Sequence, residues 1–266
     1  MKELDLLNQR GWVKFGTDPG VAQWSIAARP VAEEILSDPH SRDQWLRCGD
    51  TWFAGVNVFP NAYDGSVPWR VPALRGAVME AAAASMGVES VALDRAQISV
   101  CMPGYPQPDV NESEANFRFR QQRDAAHVDG LLRDEKRRRR LGEMHGFVLG
   151  IPLLETPPDA SPMVVWEGSH EVVRAAFRLR FRDVAPDDWE AEDITEIYHQ
   201  ARRDVFRMCR RVEVHARPGE AYLVHRLALH GMAPWGVGGG WAPRIIAYFR
   251  PDPFPGSPPD WWLEMA

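Results

Sequence analysis

Cysteine is scarce in this chain of 266 residues: there are three, Cys48, Cys101 and Cys209, at wide and irregular spacing. An odd number so placed argues against a disulfide framework and offers no zinc-ligand spacing, so reduced thiols in a cytoplasmic protein are expected. Long apolar runs are missing too. No stretch approaches the ~20 apolar residues of a membrane helix, and the opening Met1-Lys2-Glu3-Leu4-Asp5 carries no apolar signal region. Excess positive charge is also absent. With 31 Lys and Arg against 37 Asp and Glu, the net charge is −6, which argues against a general nucleic-acid binder. What is present is ordinary globular material, 45% hydrophobic and 26% charged, ample for one sizeable core. The 11 tryptophans are many for this length, and most belong in that core.

The N-terminal stretch reads as a helix up to Arg10, then Gly11 and a short strand, Trp12-Val13-Lys14-Phe15. Thr17-Asp18-Pro19 is a helix-start signal for the segment Val21 to Leu36. Asp38 to Pro72, dense in Trp, Pro, Gly and Asn, reads as loops with short strands. Pro72 then begins an Ala-rich helix through Met86, closed by Gly87. Residues 1–93 are thus expected to be mostly helical support.

From Asp94 the texture turns to β. Arg95 to Met102 alternates as a strand does, with Gln97, Ser99 and Cys101 on one face. Tyr105 to Gln122 reads as a loop that delivers the chain to Ala126-His127-Val128-Asp129-Gly130. In extended backbone, His127 and Asp129 project together while Val128 turns away. An imidazole and a carboxylate on one face can hold neighbouring positions on a divalent metal, and His230 in Leu229-His230-Gly231 can supply a third ligand. Two histidines and a carboxylate on one octahedral face suit non-haem Fe(II). The His-x-Asp spacing alone is weak, because it recurs by chance in a chain of this length.

Three further segments add context. Ser161-Pro162-Met163-Val164-Val165-Trp166-Glu167-Gly168-Ser169-His170 is one. Pro218-Gly219-Glu220-Ala221-Tyr222-Leu223-Val224-His225-Arg226-Leu227-Ala228-Leu229-His230-Gly231 is the second, and Arg244-Ile245-Ile246-Ala247-Tyr248-Phe249 the third. With the His-x-Asp segment, they resemble in content and order the phytanoyl-CoA dioxygenase-like family of Fe(II)/2-oxoglutarate-dependent oxygenases. The resemblance covers Ala96 to Pro251 well and the first ninety or so residues loosely. Glu167 stands where the family has proline and Ser161 where it has glycine. The asparagine and serine usual near the loop before Arg244 are absent.

The resemblance implies a mainly β fold with flanking helices, a double-stranded β-helix (jelly roll, cupin-like). It implies one oxygenase domain over 1–266, with the jelly-roll core at 94–251, a helical insert at about 170–210 and a Pro/Trp-rich tail at 252–266. It assigns iron to His127, Asp129 and His230. His230, followed by glycine, is the ligand, and His225, five residues earlier, is its neighbour. It assigns the far carboxylate of 2-oxoglutarate to Arg244, with Gln97 and Ser99 as polar contacts; the other reading of these two is ordinary cross-strand pairing. Arg250 is taken as a strand-end surface charge, and His145 and His170 as structural. With Fe(II), 2-oxoglutarate and O2, the activity implied is hydroxylation of an unactivated C–H bond in a small molecule. Desaturation and epimerisation are other outcomes, and a non-catalytic jelly-roll binding protein is the rival. Halogenases of the family carry Gly or Ala in place of the carboxylate, so Asp129 argues against halogenation.

Three stretches stay outside that assignment. Arg133 to Arg140 reads as a solvated loop or helical turn whose charges face water, or as a basic patch for an anionic substrate. Pro186 to Met208 has the period of an amphipathic helix, packed outside or serving as a lid. Trp261 and Trp262 either fold back on the barrel or dock on a second subunit.

Overall fold

The chain is described from a computed structural model that covers residues 2–264; Met1 and the last two residues of the tail lie outside the described part. Helix α1 (Lys2–Arg10) leads through Gly11 into β1 (Trp12–Phe15). Asp18 then starts α2 (Pro19–Ser37): its carboxylate accepts the Gly20 and Val21 amides, the usual N-cap arrangement. A short α3 (Pro39–Trp45) and strands β2 (Leu46–Arg47) and β3 (Trp52–Gly55) follow. Helix α4 spans Ala77–Ser85 and does not begin at Pro72 as the sequence suggests. Gly76 has φ of 130°, which breaks the helical path, and the second Asp18 oxygen caps α4 by accepting the Ala77 amide. One carboxylate therefore caps two helices.

Strand β4 is Gln97–Cys101. The stretch read as loop after Tyr105 contains α5 (Glu114–Gln122), begun by Ser113, whose hydroxyl accepts the Asn116 amide. The basic run belongs to a hairpin: its middle, 134–138, is the turn that joins β5 (Leu131–Arg133) to β6 (Arg139–Leu141). Then come β7 (Phe147–Pro152) and β8 (Met163–Glu167). Helix α6 (Ser169–Phe181) is capped by left-handed Gly168, whereas Ser169 lies inside it and accepts the Leu229 amide. A 3-10 turn (Pro186–Ala191) and α7 (Thr195–Met208) divide the expected insert helix in two. The remaining elements are β9 (Arg210–Val214), β10 (Ala221–His225), β11 (His230–Met232), β12 (Arg244–Phe249) and α8 (Trp261–Glu264).

These strands form a seven-stranded antiparallel sheet, β1-β10-β7-β12-β4-β3-β2, facing a three-stranded sheet, β11-β8-β9. The architecture is a double-stranded β-helix with flanking helices. Three of the large sheet's strands come from the first sixty residues, so the N-terminal part is more than helical support. Alternation sorts the side chains. Ile245, Ala247 and Phe249 of β12 face α2 and α4, where Trp24 packs against Phe59 and Phe249. Ile246 and Tyr248 face inward, with Met163 and Val165 of the small sheet. The small sheet's other face, Val164 and Trp166, packs on α6, α7 and α8. Helix α7 thus covers the exterior through Tyr198, Ala201 and Val205. Trp262 folds back, stacked on Phe177 and donating its indole N–H to the His145 carbonyl. Among the described residues, no helix is long and apolar enough to cross a membrane.

The double cap makes a stability prediction. Replacing an N-cap Asp by Ala costs about 1–2 kcal/mol, and Asp18→Ala should reach the upper part of that range because it uncaps α4 as well. The three backbone amides, led by that of Ala77, outweigh burial and hold the Asp18 carboxyl below its ordinary value. Its contribution is therefore present above the unfolded-state carboxylate range and is lost as pH falls through the depressed folded value. Urea melts of wild type and Asp18→Ala should differ at neutral pH and converge in acid; a pH-independent difference would contradict the assignment.

Candidate metal centre

The local backbone brings His127 and His230 together. Each amide donates to the other's carbonyl, at 2.8 and 3.0 Å, in an isolated antiparallel bridge. Directly opposed residues share a face, and the two imidazoles lie 4.7 Å apart, centre to centre. Such close backbone approach excludes side chains at the flanking positions. A Cβ on Gly231 would stand 2.0 Å from the Asp124 carbonyl oxygen, and one on Gly130, whose φ is 80°, would stand 2.0 Å from that of Glu143. The glycine after His230, used in the sequence as a ligand signal, is there because the chain before His127 passes against it.

That chain is held under tension. Asp124 and Ala125 are both left-handed, with φ of 53° and 52°, a conformation that costs non-glycine residues about 1–3 kcal/mol each. It turns the Ala125 carbonyl onto His127 Nδ1, at 2.9 Å. Asp124 is anchored by a two-point pair with Arg211, at 2.8 and 2.9 Å. His230 Nδ1 likewise lies 2.9 Å from the Ala228 carbonyl. A carbonyl only accepts, so in both rings Nδ1 carries a proton and Nε2 is the nitrogen turned toward the site.

Both Nε2 atoms meet Asp129. His127 Nε2 lies 3.2 Å from Oδ1 and His230 Nε2 3.5 Å from Oδ2. The ligand atoms of the three residues fall within 4.8 Å of one another, the geometry of a site for one ion. Two imidazoles and one carboxylate, with no thiolate, suit Fe(II) and leave part of the coordination sphere to other ligands. Burial would raise the Asp129 pKa, but His230, His127 and Arg250 outweigh it and hold the carboxyl well below its ordinary range. Burial would lower His127, and its hydrogen bond to Asp129 more than offsets that, so without a cation His127 keeps its proton more firmly than usual.

The triad opens on a cavity of about 330 Å³, which Gln97, Ser99 and Met232 also line. The Ser99 hydroxyl accepts the Trp52 indole N–H, at 3.1 Å, so it already serves as a cross-strand pair. Arg244 does not line this cavity. It lies behind Met232 and Tyr248 and faces a neighbouring cleft of about 550 Å³. Its guanidinium is buried, 3.0 Å from Met232 Sδ, 3.6 Å from Cys101 Sγ and 3.5 Å from Tyr248 Oη. Its Nε has no partner. Arg250 corrects the sequence reading. It is no surface charge: it lines the cavity, with Nη1 3.7 Å from Asp129 Oδ2. Period-two alternation from Arg244 through Ile246 and Tyr248 puts it on that inner face. Arg120 also lines the cavity, paired with Glu112 at 2.5 Å, and no sequence signal singled it out.

The other histidines lie elsewhere. His225 is buried in β10, with Nδ1 accepting the Leu227 amide and Nε2 3.0 Å from Arg174. His170 Nε2 lies 2.8 Å from the Asn8 carbonyl and ties α6 to α1. His145 is held by the Arg250 carbonyl and Glu143.

No protein-family profile matches the chain, and no curated protein sequence matches it. Among solved structures, it is similar to EctD from S. alaskensis with bound Fe, at 14% identity over 98% of this chain and 82% of that one, with a TM-score of 0.50. The same protein with 2-oxoglutarate and 5-hydroxyectoine gives 14% identity, the same coverage and a TM-score of 0.51. EvdMO1 gives 16% identity over 95% of this chain, which spans only 50% of that protein, with a TM-score of 0.50. At this identity the likeness is one of fold, and it agrees with the jelly roll read from the strand order.

Proposed function

We propose that this protein is an Fe(II)- and 2-oxoglutarate-dependent dioxygenase, similar to the phytanoyl-CoA dioxygenase-like family, which hydroxylates an unactivated C–H bond of a small organic molecule. The carrying observation is the convergence of the His127 and His230 Nε2 atoms on the Asp129 carboxylate. The described chain is read as one oxygenase domain, and the cavity beside the triad has the size of a small-ligand site. Fold likeness to EctD, a protein seen with Fe and with 2-oxoglutarate, supports the reading. Iron and 2-oxoglutarate would supply the oxidising power, the keto acid losing CO2 as dioxygen is reduced.

The protein's own residues do the rest. Asp129 and the two histidines hold the ion on one face. The carbonyls of Ala125 and Ala228 fix both rings in the coordinating tautomer. Arg244 is proposed as the grip on the far carboxylate of 2-oxoglutarate. A buried guanidinium whose nearest partners are two sulfurs and a phenol lacks the acceptor that would offset its desolvation. A carboxylate supplies it with two parallel hydrogen bonds. Met232 stands between the cavity and Arg244, and its flexible thioether is a side chain that can move aside.

Anaerobic titration should give one Fe(II) per chain. His230→Ala should weaken binding beyond the roughly 10–100-fold that an outer-shell partner is worth, while His225→Gln should still bind iron. Because iron displaces the proton that His127 holds, affinity should fall as pH drops through the histidine range, about tenfold per pH unit for each proton displaced. Iron bound equally well by His230→Ala would remove the triad.

Arg244→Lys keeps the charge and loses the two-point grip. A lost charged hydrogen bond is worth about 1.5–3 kcal/mol, so 2-oxoglutarate should bind roughly ten- to a hundredfold more weakly. Iron affinity without 2-oxoglutarate should be nearly unchanged. The charge-transfer absorption of the anaerobic iron protein, titrated with 2-oxoglutarate, reads this directly. Wild-type affinity in Arg244→Lys would free that residue of the role, and no absorption in wild type would remove the co-substrate.

A further inference from the structure

The basic run between Arg133 and Arg140 divides by face. Arg138 and Arg140 are both paired with the single carboxylate of Asp134, at 2.8 and 3.3 Å. Arg133 and Arg139 are not. They oppose each other directly across the hairpin and share the face of the buried pair Leu131 and Leu141. Charges that merely seek water would lie on the other face, with exposed Leu132. Two like charges directly opposed also destabilise a strand pair, and the bond the hairpin offers in return, Arg139 Nη1 donating to the Leu131 carbonyl at 3.1 Å, brings no negative charge.

A third guanidinium meets them from α7. Arg202 stacks over the rings of Phe119 and Tyr198, 4.6 and 5.3 Å from their centres, and Arg123 lies 4.8 Å over Phe206 in the same aromatic group. Ring faces hold a cation in place without cancelling its charge. The Arg139 backbone is fixed to the start of α7 through Thr195 Oγ1 and the Ile194 amide. Among the described residues, no carboxylate lies within 4.0 Å of Arg123, Arg133, Arg139 or Arg202. The Nε atoms of Arg139 and Arg202 are buried without a partner. Burial first, then the charges of Arg133 and Arg202, push the Arg139 pKa down, which marks a cluster short of negative charge.

We infer that Arg133, Arg139 and Arg202, with Arg123 at the edge, form a binding site for the phosphoryl group of a small-molecule ligand. Several guanidiniums converging from a hairpin and a helix match the tetrahedral, multiply charged oxygens of a phosphate or pyrophosphate. A single carboxylate would leave most of the cluster's charge unmet. The site lies beside the metal centre: Arg133 is four residues from Asp129, at most ~14 Å along the chain. The Tyr198 hydroxyl on which Val128 depends belongs to the same cluster. The inference itself does not rest on the iron reading.

Inorganic pyrophosphate is the probe, added to the metal-free full chain with calorimetry and thermal melting as readouts. Wild type should bind it, and Arg139→Gln and Arg133→Gln should each weaken binding at least tenfold, with Arg139→Lys intermediate. Arg178→Gln, near the end of α6 and paired with Glu264, should bind as wild type. Without pyrophosphate, Arg139→Gln should melt no lower than wild type, because the repulsion it removes outweighs the one bond it loses, to the Leu131 carbonyl; a merely structural arginine would give the opposite. If Arg139→Gln fails to fold, exposed Arg133→Gln carries the comparison. No pyrophosphate binding by wild type, or equal binding by Arg133→Gln, would overturn the site. Binding of a single-stranded oligonucleotide in place of pyrophosphate would overturn it too, by making the cluster a macromolecular surface.

Discussion

Two backbone hydrogen bonds, exchanged between His127 and His230, set the distance between side chains from widely separated segments, and the candidate metal centre depends on them. The bonds require the chain before His127 to lie against Gly231, where no side chain fits. They also require the turn at Asp124 and Ala125, which strains both residues into the left-handed region. The two-point pair of Asp124 with Arg211 offsets that strain and fixes the turn to β9. Strain, close approach and anchor are one device. Its output is a pair of imidazoles whose Nε2 atoms face one carboxylate before any cation arrives, which is preorganisation in the sense that binding sites need.

Much of this was legible in the sequence, and the part that was not has a physical reason. His127 and Asp129 could be grouped because a metal site constrains residue type, and the family resemblance, through the glycine after His230, chose that histidine over His225. Alternation placed Gln97, Ser99 and Cys101 on one face, and the three do line up. Arg250 was misplaced despite the same rule. Its parity with Arg244 was visible, but the end of a strand leaves open whether the last side chain points into a barrel or past it. The hairpin at Leu131–Leu141 was missed because its turn is made of charged residues, with Arg137 taking a left-handed φ of 63° that glycine or asparagine usually signals. The late start of α4 depends on Asp18, almost sixty residues away, a contact that local patterns do not contain.

Six arginines of this net-acidic chain fall into two classes. Arg211 has Asp124, Arg174 has Glu171 and Arg120 has Glu112; each of these guanidiniums finds a carboxylate within the fold. Arg244, Arg139 and Arg202 have carbonyl oxygen, sulfur, phenol or ring faces instead. Removing a cation from water without an anion is expensive, so the second class marks places where the folded protein alone does not complete its own charge balance. Arg250 belongs to neither class. Its partner is Asp129, at 3.7 Å, the carboxylate that a cation between His127 and His230 would also claim. A cation held by His127, Asp129 and His230 would compete with Arg250 for that carboxylate, so the candidate metal site and the arginine on the wall of the pocket are coupled through Asp129.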